Sequence, residues 1–431
     1  MLARFKSTTG ALKFLEFHRQ KTRDFTRNRK LTFELVVLVI LQKSVKSLQL
    51  ALNEFFQKCS SPLKTVGASA FTKARQKLSH TAFIELNQVA VVETVYEDST
   101  YRQWKGHRLL GVDGSKIILP DTPEIREEFG GVRIANQLPT TVGSFPMAVA
   151  SVCYDSLNHI ALDSVLTHAR AYEVDLAMDH LAYSRENDVW IFDRGYPSYF
   201  YLTLLLAHRQ HFIGRCSKGS FPAAQKLFRR PVPSKRVMLR APHYLRPKLL
   251  ALGLPLTIAV RFVTVILKTG EVEVLVTSLL DETLYPASEF GPLYYLRWGV
   301  ETFYGRVKGR LALENFTGKT PEAIKQDFYS TILISGVESV LTEEGQHQLD
   351  QKSSTNRYPR QVNKAVSFNT IKHRVFDLFY TQNNLDQLLE DLTQLFLTNP
   401  TCHRPHRNPP RQKSKDRKLL QFHLRTKKIC F

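Results

Sequence analysis

Apolar positions change rhythm along the chain. In the first hundred residues they cluster at helical spacing: 31–41 and 48–56 are apolar enough for core helices, and 60–67 reads as a loop. Residues 69–78 then predict a short helix with Phe71, Ala74 and Leu78 on one face and Lys73, Gln76 and Lys77 on the other. From about Trp104 the pattern turns to short apolar runs, which predict strands at 109–113, 117–119, 147–154 and 159–166, the last two joined by a hairpin at 155–158. A helix over 173–185 follows. Next comes a continuous apolar run at 189–192, of the kind a strand covered on both faces carries, and a helix at 199–208. Residues 211–216, 254–267 and 273–279 alternate or run apolar like strands of an inserted sheet, and between them 218–248 is rich in basic residues and proline. A helix near 321–341 completes this core, and 376–397 is amphipathic, suited to partner contact or to ordinary packing.

The pattern divides the chain into a helical region 1–100, an α/β region 104–345 interrupted by a β-rich insertion at about 209–285, and a helical region 346–431 ending in a basic tail. At 431 residues there is enough chain to bury a full core. Five cysteines without paired spacing argue against a disulfide framework and suit a reducing cytoplasm. No run of about 18 apolar residues occurs, so no membrane span or membrane partner is expected. The first fourteen residues are basic but lack a secretory apolar core, although their Arg, Lys, Ser and Thr content could imitate an organelle-targeting segment.

Charge adds a partner. The formal net charge of +21 is segregated: residues 1–30 hold nine Lys/Arg against two Asp/Glu, 194–270 hold fourteen Lys/Arg and no acid, and 403–431 hold ten Lys/Arg and one Asp. Clustered charge of one sign repels itself unless a polyanion neutralises it, and nucleic acid is the obvious one, with steep salt dependence. Anionic lipid or generic solubility is the bland alternative.

Candidate chemistry sits at three places. Between Tyr294 and Lys308, Arg297 is four residues before Glu301, Tyr294 seven before it and Lys308 seven after it, offsets that return to nearly one azimuth on a helix. One carboxylate flanked by two cations and a phenol suits a site that holds a metal ion and grips phosphates. A solvated helix face would carry the same spacing. Asp113 ends the run 109–112, with Gly114 and Ser115 read as a tight turn, and Asp193 ends the run 189–192, with Arg194, Gly195 and Pro197 turning out of it. Each aspartate alone suits a turn or cap.

Together these residues resemble a DDE transposase of bacterial insertion sequences, within the insertion sequence four family. Its signature Y-x2-R-x3-E-x6-K is met by Tyr294, Arg297, Glu301 and Lys308, and its aspartate motifs resemble Asp113–Ser115 and Asp193–Tyr196. The resemblance covers 109–315 in detail. It implies an RNase H-like mixed sheet with a β-rich subdomain inserted before the glutamate. It also implies a Mg²⁺ site of two ions (Mn²⁺ as substitute) on Asp113, Asp193 and Glu301, with Asp113 bridging both ions.

By the same resemblance, Tyr294, Arg297 and Lys308 grip phosphates, Trp298 stacks on a flipped base, and end-cleavage and strand transfer follow by cut and paste, through a hairpin in the family. No tryptophan lies between 194 and 296, which leaves Phe221 or Tyr244 as further stacking candidates, or a route without a hairpin. Trp298 could equally be helix packing. Arg194, Lys73 and Lys77 are the remaining candidate DNA contacts, the last two on a possible recognition helix that could equally be a bundle member. The expected partners are double-stranded DNA, as terminal inverted repeats and target, and a second copy in a homodimer, in a bacterial cytoplasm at the nucleoid. A DNA-binding protein without catalysis and a metal-dependent endonuclease are the rival readings. Cys402, His403, His406, His423 and Cys430 are zinc-ligand types at loose spacing, and their surroundings read better as a disordered basic tail along DNA.

Overall fold

The computed structural model describes residues 1–27, 29–43, 46–58, 66–97, 100–133, 144–352, 357–381, 384–402 and 404. The chain forms two compact units: Met1–Ser99, Ile117–Ala148 and Gly305–Phe431 make the first, Thr100–Lys116 and Val149–Tyr304 the second. Among the described residues no helix is long and apolar enough to cross a membrane.

Helices dominate the first unit. Helix Phe33–Gln42 is apolar on nearly every side and correspondingly buried, and its first turn is capped by Thr32, whose side chain accepts the Leu35 N–H. The helix Pro321–Lys352 is longer than its apolar pattern suggests, and its stretch from Ala323 to Glu338 is almost wholly buried. Buried polar groups there are matched. Arg75 donates to Asp327 (2.7 Å), Gln326 (2.6 Å), Thr317 (2.6 Å) and the Ala323 carbonyl (2.7 Å). The helix expected at 69–78 is shorter, Ala68–Arg75, because Arg75 turns inward to this cluster and the chain leaves the helix after it. The amphipathic stretch expected over 376–397 is also broken, into Val375–Phe379 and Leu385–Thr398, with Asn384 in the left-handed region (φ 52°) at the second start.

The mixed sheet comprises β1 (Leu109–Ile118), β2 (Gly131–Arg133), β3 (Ser144–Asp155), β4 (Ile160–His168), β5 (Val189–Phe192), β6 (His211–Arg215), β7 (Ser234–Arg240), β8 (Thr257–Ile266) and β9 (Val272–Thr277). Its order is β2-β3-β1-β5-β6-β9-β8-β7, with β4 on β3. β5 is parallel to β1 and to β6, while β6, β9, β8 and β7 pair antiparallel in turn. The run β4-β3-β1-β5-β6 is the RNase H-like order the sequence implied. β5 is buried along its whole length, as its unbroken apolar run requires.

One expectation about the insertion is corrected. The inserted strands do not form their own sheet: β9 pairs with the open edge of β6, so they extend the same sheet. The basic stretch 218–248, for which the sequence pattern offered no element, holds the helix Pro222–Arg229 and β7, an edge strand whose Lys235, Arg236 and Arg240 face solvent. Charge on an edge strand deters pairing with other chains, and it hides the strand from a hydrophobicity pattern.

Candidate active site

Parallel register sets the two aspartates side by side. Leu109 pairs with Val189, Leu110 with Trp190 and Gly111 with Ile191. The same offset carried two residues on brings Asp113 beside Asp193, about 4.8 Å apart in the backbone at the usual strand spacing. Alternation puts Leu109, Gly111 and Asp113 on one face of the sheet, with Val189, Ile191 and Asp193. That face is covered by helix Phe290–Tyr295, whose Phe290, Leu293 and Tyr294 pack with Leu109, Val189 and Ile191. Helix Trp298–Gly309 follows, and Val300 lies 3.6 Å from the point a Cβ on Gly111 would occupy. Glu301, the next residue, therefore belongs to the aspartate end of the sheet.

Asp113 does not end a strand. β1 runs unbroken through Asp113, Gly114 and Ser115, contrary to the expected turn. Gly114 serves close approach instead: a Cβ there would lie 2.6 Å from Cδ of Glu173. The Asp113 Oδ1 accepts the Gly114 N–H at 2.9 Å, and the Tyr304 hydroxyl lies 3.2 Å from the Asp113 carbonyl and 3.0 Å from that of Ala150. Burial pushes the Asp113 carboxyl up to about 6; the neighbouring carboxylates of Glu301 and Glu173 add to the rise, against the Gly114 N–H and Arg297.

The signature residues are not one helical stripe. The helix breaks at Leu296–Arg297, where Arg297 N–H bonds to Tyr294 O (3.0 Å) and Gly299 N–H to Leu296 O (2.9 Å), three-residue steps tighter than an α-helix. Azimuths computed at 3.6 residues per turn do not carry across that break. Nor is this a solvated face, because Tyr294 and Arg297 are 6% and 4% exposed. The Tyr294 hydroxyl reaches Asp193 Oδ1 at 3.4 Å, and burial pushes its ionisation upward. Arg297 donates through Nη1 to Glu301 Oε1 at 2.6 Å, and its guanidinium lies 4.6 Å from the ring centre of Trp298, which is 46% exposed. Burial, the largest single influence, lowers the Arg297 pKa, but the bond to Glu301 together with the charges of Tyr294, Glu301 and Asp193 outweighs it and holds the guanidinium above its usual range.

The second unit thus gathers Asp113, Asp193, Tyr294, Arg297, Trp298 and Glu301, with Arg194 exposed in the turn after β5. Lys308 belongs to the first unit, 3.7 Å from Glu314 Oε1. Lys73 and Lys77 belong to it too, Lys73 exposed and Lys77 3.8 Å from Asp24 Oδ1. Of the other aromatic candidates, Phe221 packs against Phe262 while Tyr244 is exposed. Of the Cys/His cluster only Cys402 is described, as an exposed residue; the four others and the basic tail lie outside the described residues.

Sequence reading missed Glu173 and the burial of Tyr196. Tyr196 closes the Asp193 turn, and its buried hydroxyl has no hydrogen-bond partner among the described residues. It also missed a Ser–His–Asp chain: His180 lies 2.9 Å from Ser151 Oγ and 2.6 Å from Asp163 Oδ2. Ser151 and His180 are fully buried, so no substrate reaches that hydroxyl; the trio ties β3, β4 and the turn His180–Tyr183 together.

The donor set suits a hard divalent cation in kind: carboxylate oxygens, gathered around a half-buried Asp113. Among the described residues no group of three or more His, Cys, Asp or Glu is gathered tightly enough to hold a metal ion, and Glu301 is engaged by Arg297.

Residues 104–335 match the family model of the transposase DDE domain. The chain is 26% identical over 316 residues to the transposase InsG for insertion sequence element IS4 of Escherichia coli strain K12, covering 71% of this chain and 69% of that protein. It is 25% identical over 173 residues to the putative transposase InsZ of the same organism, 39% of this chain and 55% of that one. Among solved structures it is loosely similar to piggyBac transposase in a synaptic complex with hairpin DNA, at 10% identity and a TM-score of 0.41 over 96% of this chain and 85% of that one. With the family match spanning more than half of its 431 residues, the chain belongs to the DDE-domain transposases, in the family of insertion sequence IS4, and acts as a DNA transposase.

Proposed function

We propose that the chain excises an insertion sequence by cleaving DNA at its ends and joins those ends to target DNA, with Asp113, Asp193 and Glu301 as the catalytic carboxylates. The observation that carries this reading is the β1–β5 register at Leu109–Gly111, which, continued by two residues, would bring Asp113 beside Asp193 on the sheet face covered by the Glu301 helix. These carboxylates would hold Mg²⁺, or Mn²⁺ in its place, which when bound neutralises charge on the scissile phosphate and activates the attacking oxygen. Tyr294 holds Asp193, and Arg297 holds Glu301, so both act first as positioning residues. Trp298, backed by the Arg297 guanidinium and half exposed, offers a face on which an unstacked base can rest.

The remaining DNA contacts are assigned on charge. Arg194, Lys308, Lys73 and Lys77 would meet phosphates, with residues 1–100 as the end-recognition region, 104–345 as the catalytic region and 346–431 as a helical region with a basic tail. Two copies acting as a homodimer at the nucleoid would bring two terminal inverted repeats together.

The test is cleavage of a labelled duplex carrying the element's own ends, with Mg²⁺ and then Mn²⁺, by wild type and Asp193→Ala. Expected are end-specific breaks with 3′-OH termini from the wild type, and binding without cleavage from the variant. Wild type that binds those ends and never cuts would instead establish a DNA-binding protein without catalysis.

A further inference from the structure

Glu173 is the fourth carboxylate near the aspartate end of β1, and no motif of the chain singles it out. Its carboxyl occupies the room left by the missing side chain of Gly114: a Cβ there would meet Glu173 Cδ, Cγ and Oε1 at 2.6, 2.8 and 2.8 Å. Its charge acts on Asp113, on the Tyr304 hydroxyl and on the Tyr196 hydroxyl. A second carboxylate near the half-buried Asp113 disfavours its charged form unless a cation or donor joins them.

The second observation is independent of the acids. Tyr196 is 4% exposed, and its hydroxyl has no hydrogen-bond partner among the described residues, while Asp113, Glu173 and Asp193 all act on it electrostatically. A buried hydroxyl left unmatched costs about 1–3 kcal/mol. A buried phenol three residues after Asp193, with nothing to bind, fits a ligand that brings its own oxygen atoms. A hydrated divalent cation is such a ligand, because Mg²⁺ and Mn²⁺ keep several waters.

We propose that Glu173 and the Tyr196 hydroxyl are positioning residues that hold the water shell of a divalent cation carried on Asp113. This rests on the metal reading of Asp113 given above. Neither residue replaces the three catalytic carboxylates; both fix the cation through water, and Gly114 is the residue that admits Glu173 to the site.

Mn²⁺ alone is the probe, titrated into the full chain without DNA and followed by the electron spin resonance of the free ion. Glu173→Gln is expected to weaken Mn²⁺ binding roughly tenfold, the low end of the range for outer-shell partners of a metal, and Tyr196→Phe about severalfold, somewhat below it. Both should melt like wild type in chelator. Gly114→Ala, which displaces the Glu173 carboxyl without removing it, should weaken binding in the same direction and serves if Glu173→Gln fails to fold. Asp113→Asn should abolish binding. Wild-type affinity in both Glu173→Gln and Gly114→Ala, with loss in Asp113→Asn, overturns this inference and leaves the metal reading standing. Wild type that binds no Mn²⁺, or binds it no better than Asp113→Asn, overturns the metal reading and this inference with it.

Discussion

The Arg297 guanidinium is almost out of water, yet its one hydrogen bond to a side chain, to Glu301, leaves Nε without a partner among the described residues. Stacking on Trp298 and proximity to the Tyr294 ring supply part of what water would. An arginine used this way sets a carboxylate's position before it can grip a phosphate. Arg297→Ala should therefore lower thermal stability, by about 2 kcal/mol for a charge-assisted hydrogen bond, and also slow end-cleavage. Arg297→Lys should restore part of the stability but little of the rate, because an ammonium cannot stack flat on Trp298 while holding Glu301. Melting curves and single-turnover cleavage separate the alternatives. A simple phosphate contact would leave the melting point unchanged and weaken DNA binding alone. At this scale the sequence showed which residue types meet, since Tyr294, Arg297 and Glu301 sit at tell-tale spacing. It could not show that Tyr294 reaches Asp193, because that follows from a break in the helix no local signal marks.

Strands were legible where apolar residues made them so, as at β5, and illegible where tertiary contacts did the work. Gly114 reads as a turn residue until Glu173 is seen beside it, and β7, within a stretch rich in basic residues and proline, shows no strand until its pairing with β8 is seen. Gly214 gives the sharpest case. It sits in β6 opposite Phe192, and a Cβ there would lie 2.3 Å from Phe192 Cε2 and 3.0 Å from Pro197 Cγ. Phe192 is fully buried between Tyr201 and Phe212 and has no room to yield. Gly214→Ala should thus cost about 1–3 kcal/mol as an overpacked core substitution, read from urea unfolding. Because Asp193 follows Phe192 directly, the same variant should impair end-cleavage more than its stability loss explains. A variant as stable as wild type would show that β5 and β6 do not pack as described.

At the scale of the molecule, composition revealed the segregated charge but not the charge buried within the first unit. Lys43 follows helix Phe33–Gln42, is 6% exposed, and donates to the Leu313 carbonyl at 3.0 Å beneath the Phe316 ring. Burial lowers its pKa to about 8; Asp327 opposes the shift and Arg75 reinforces it. An apolar helix followed by a lysine looks on paper like a helix reaching water, so only the packed structure reveals the cost. The sign of the effect follows from proton counting. Between the folded value near 8 and the unfolded value of 10.5, the unfolded chain binds more protons at Lys43, so this residue's contribution to stability rises with pH across that window. Buried Cys153 and Cys216 act oppositely, since burial raises both thiols, but their contributions cancel in a comparison of two variants. The unfolding free energy of wild type minus that of Lys43→Met should therefore rise by about 1–2 kcal/mol from pH 7.5 to 9.5, at about 1.4 kcal/mol per unit when fully expressed. Lys372, held near 8 by its own burial first and then by the Lys43 charge, should regain part of its basicity in the variant and sharpen the contrast. Urea unfolding at the two pH values reads the difference directly, and a pH-independent difference would place the Lys43 ammonium in water rather than in the core.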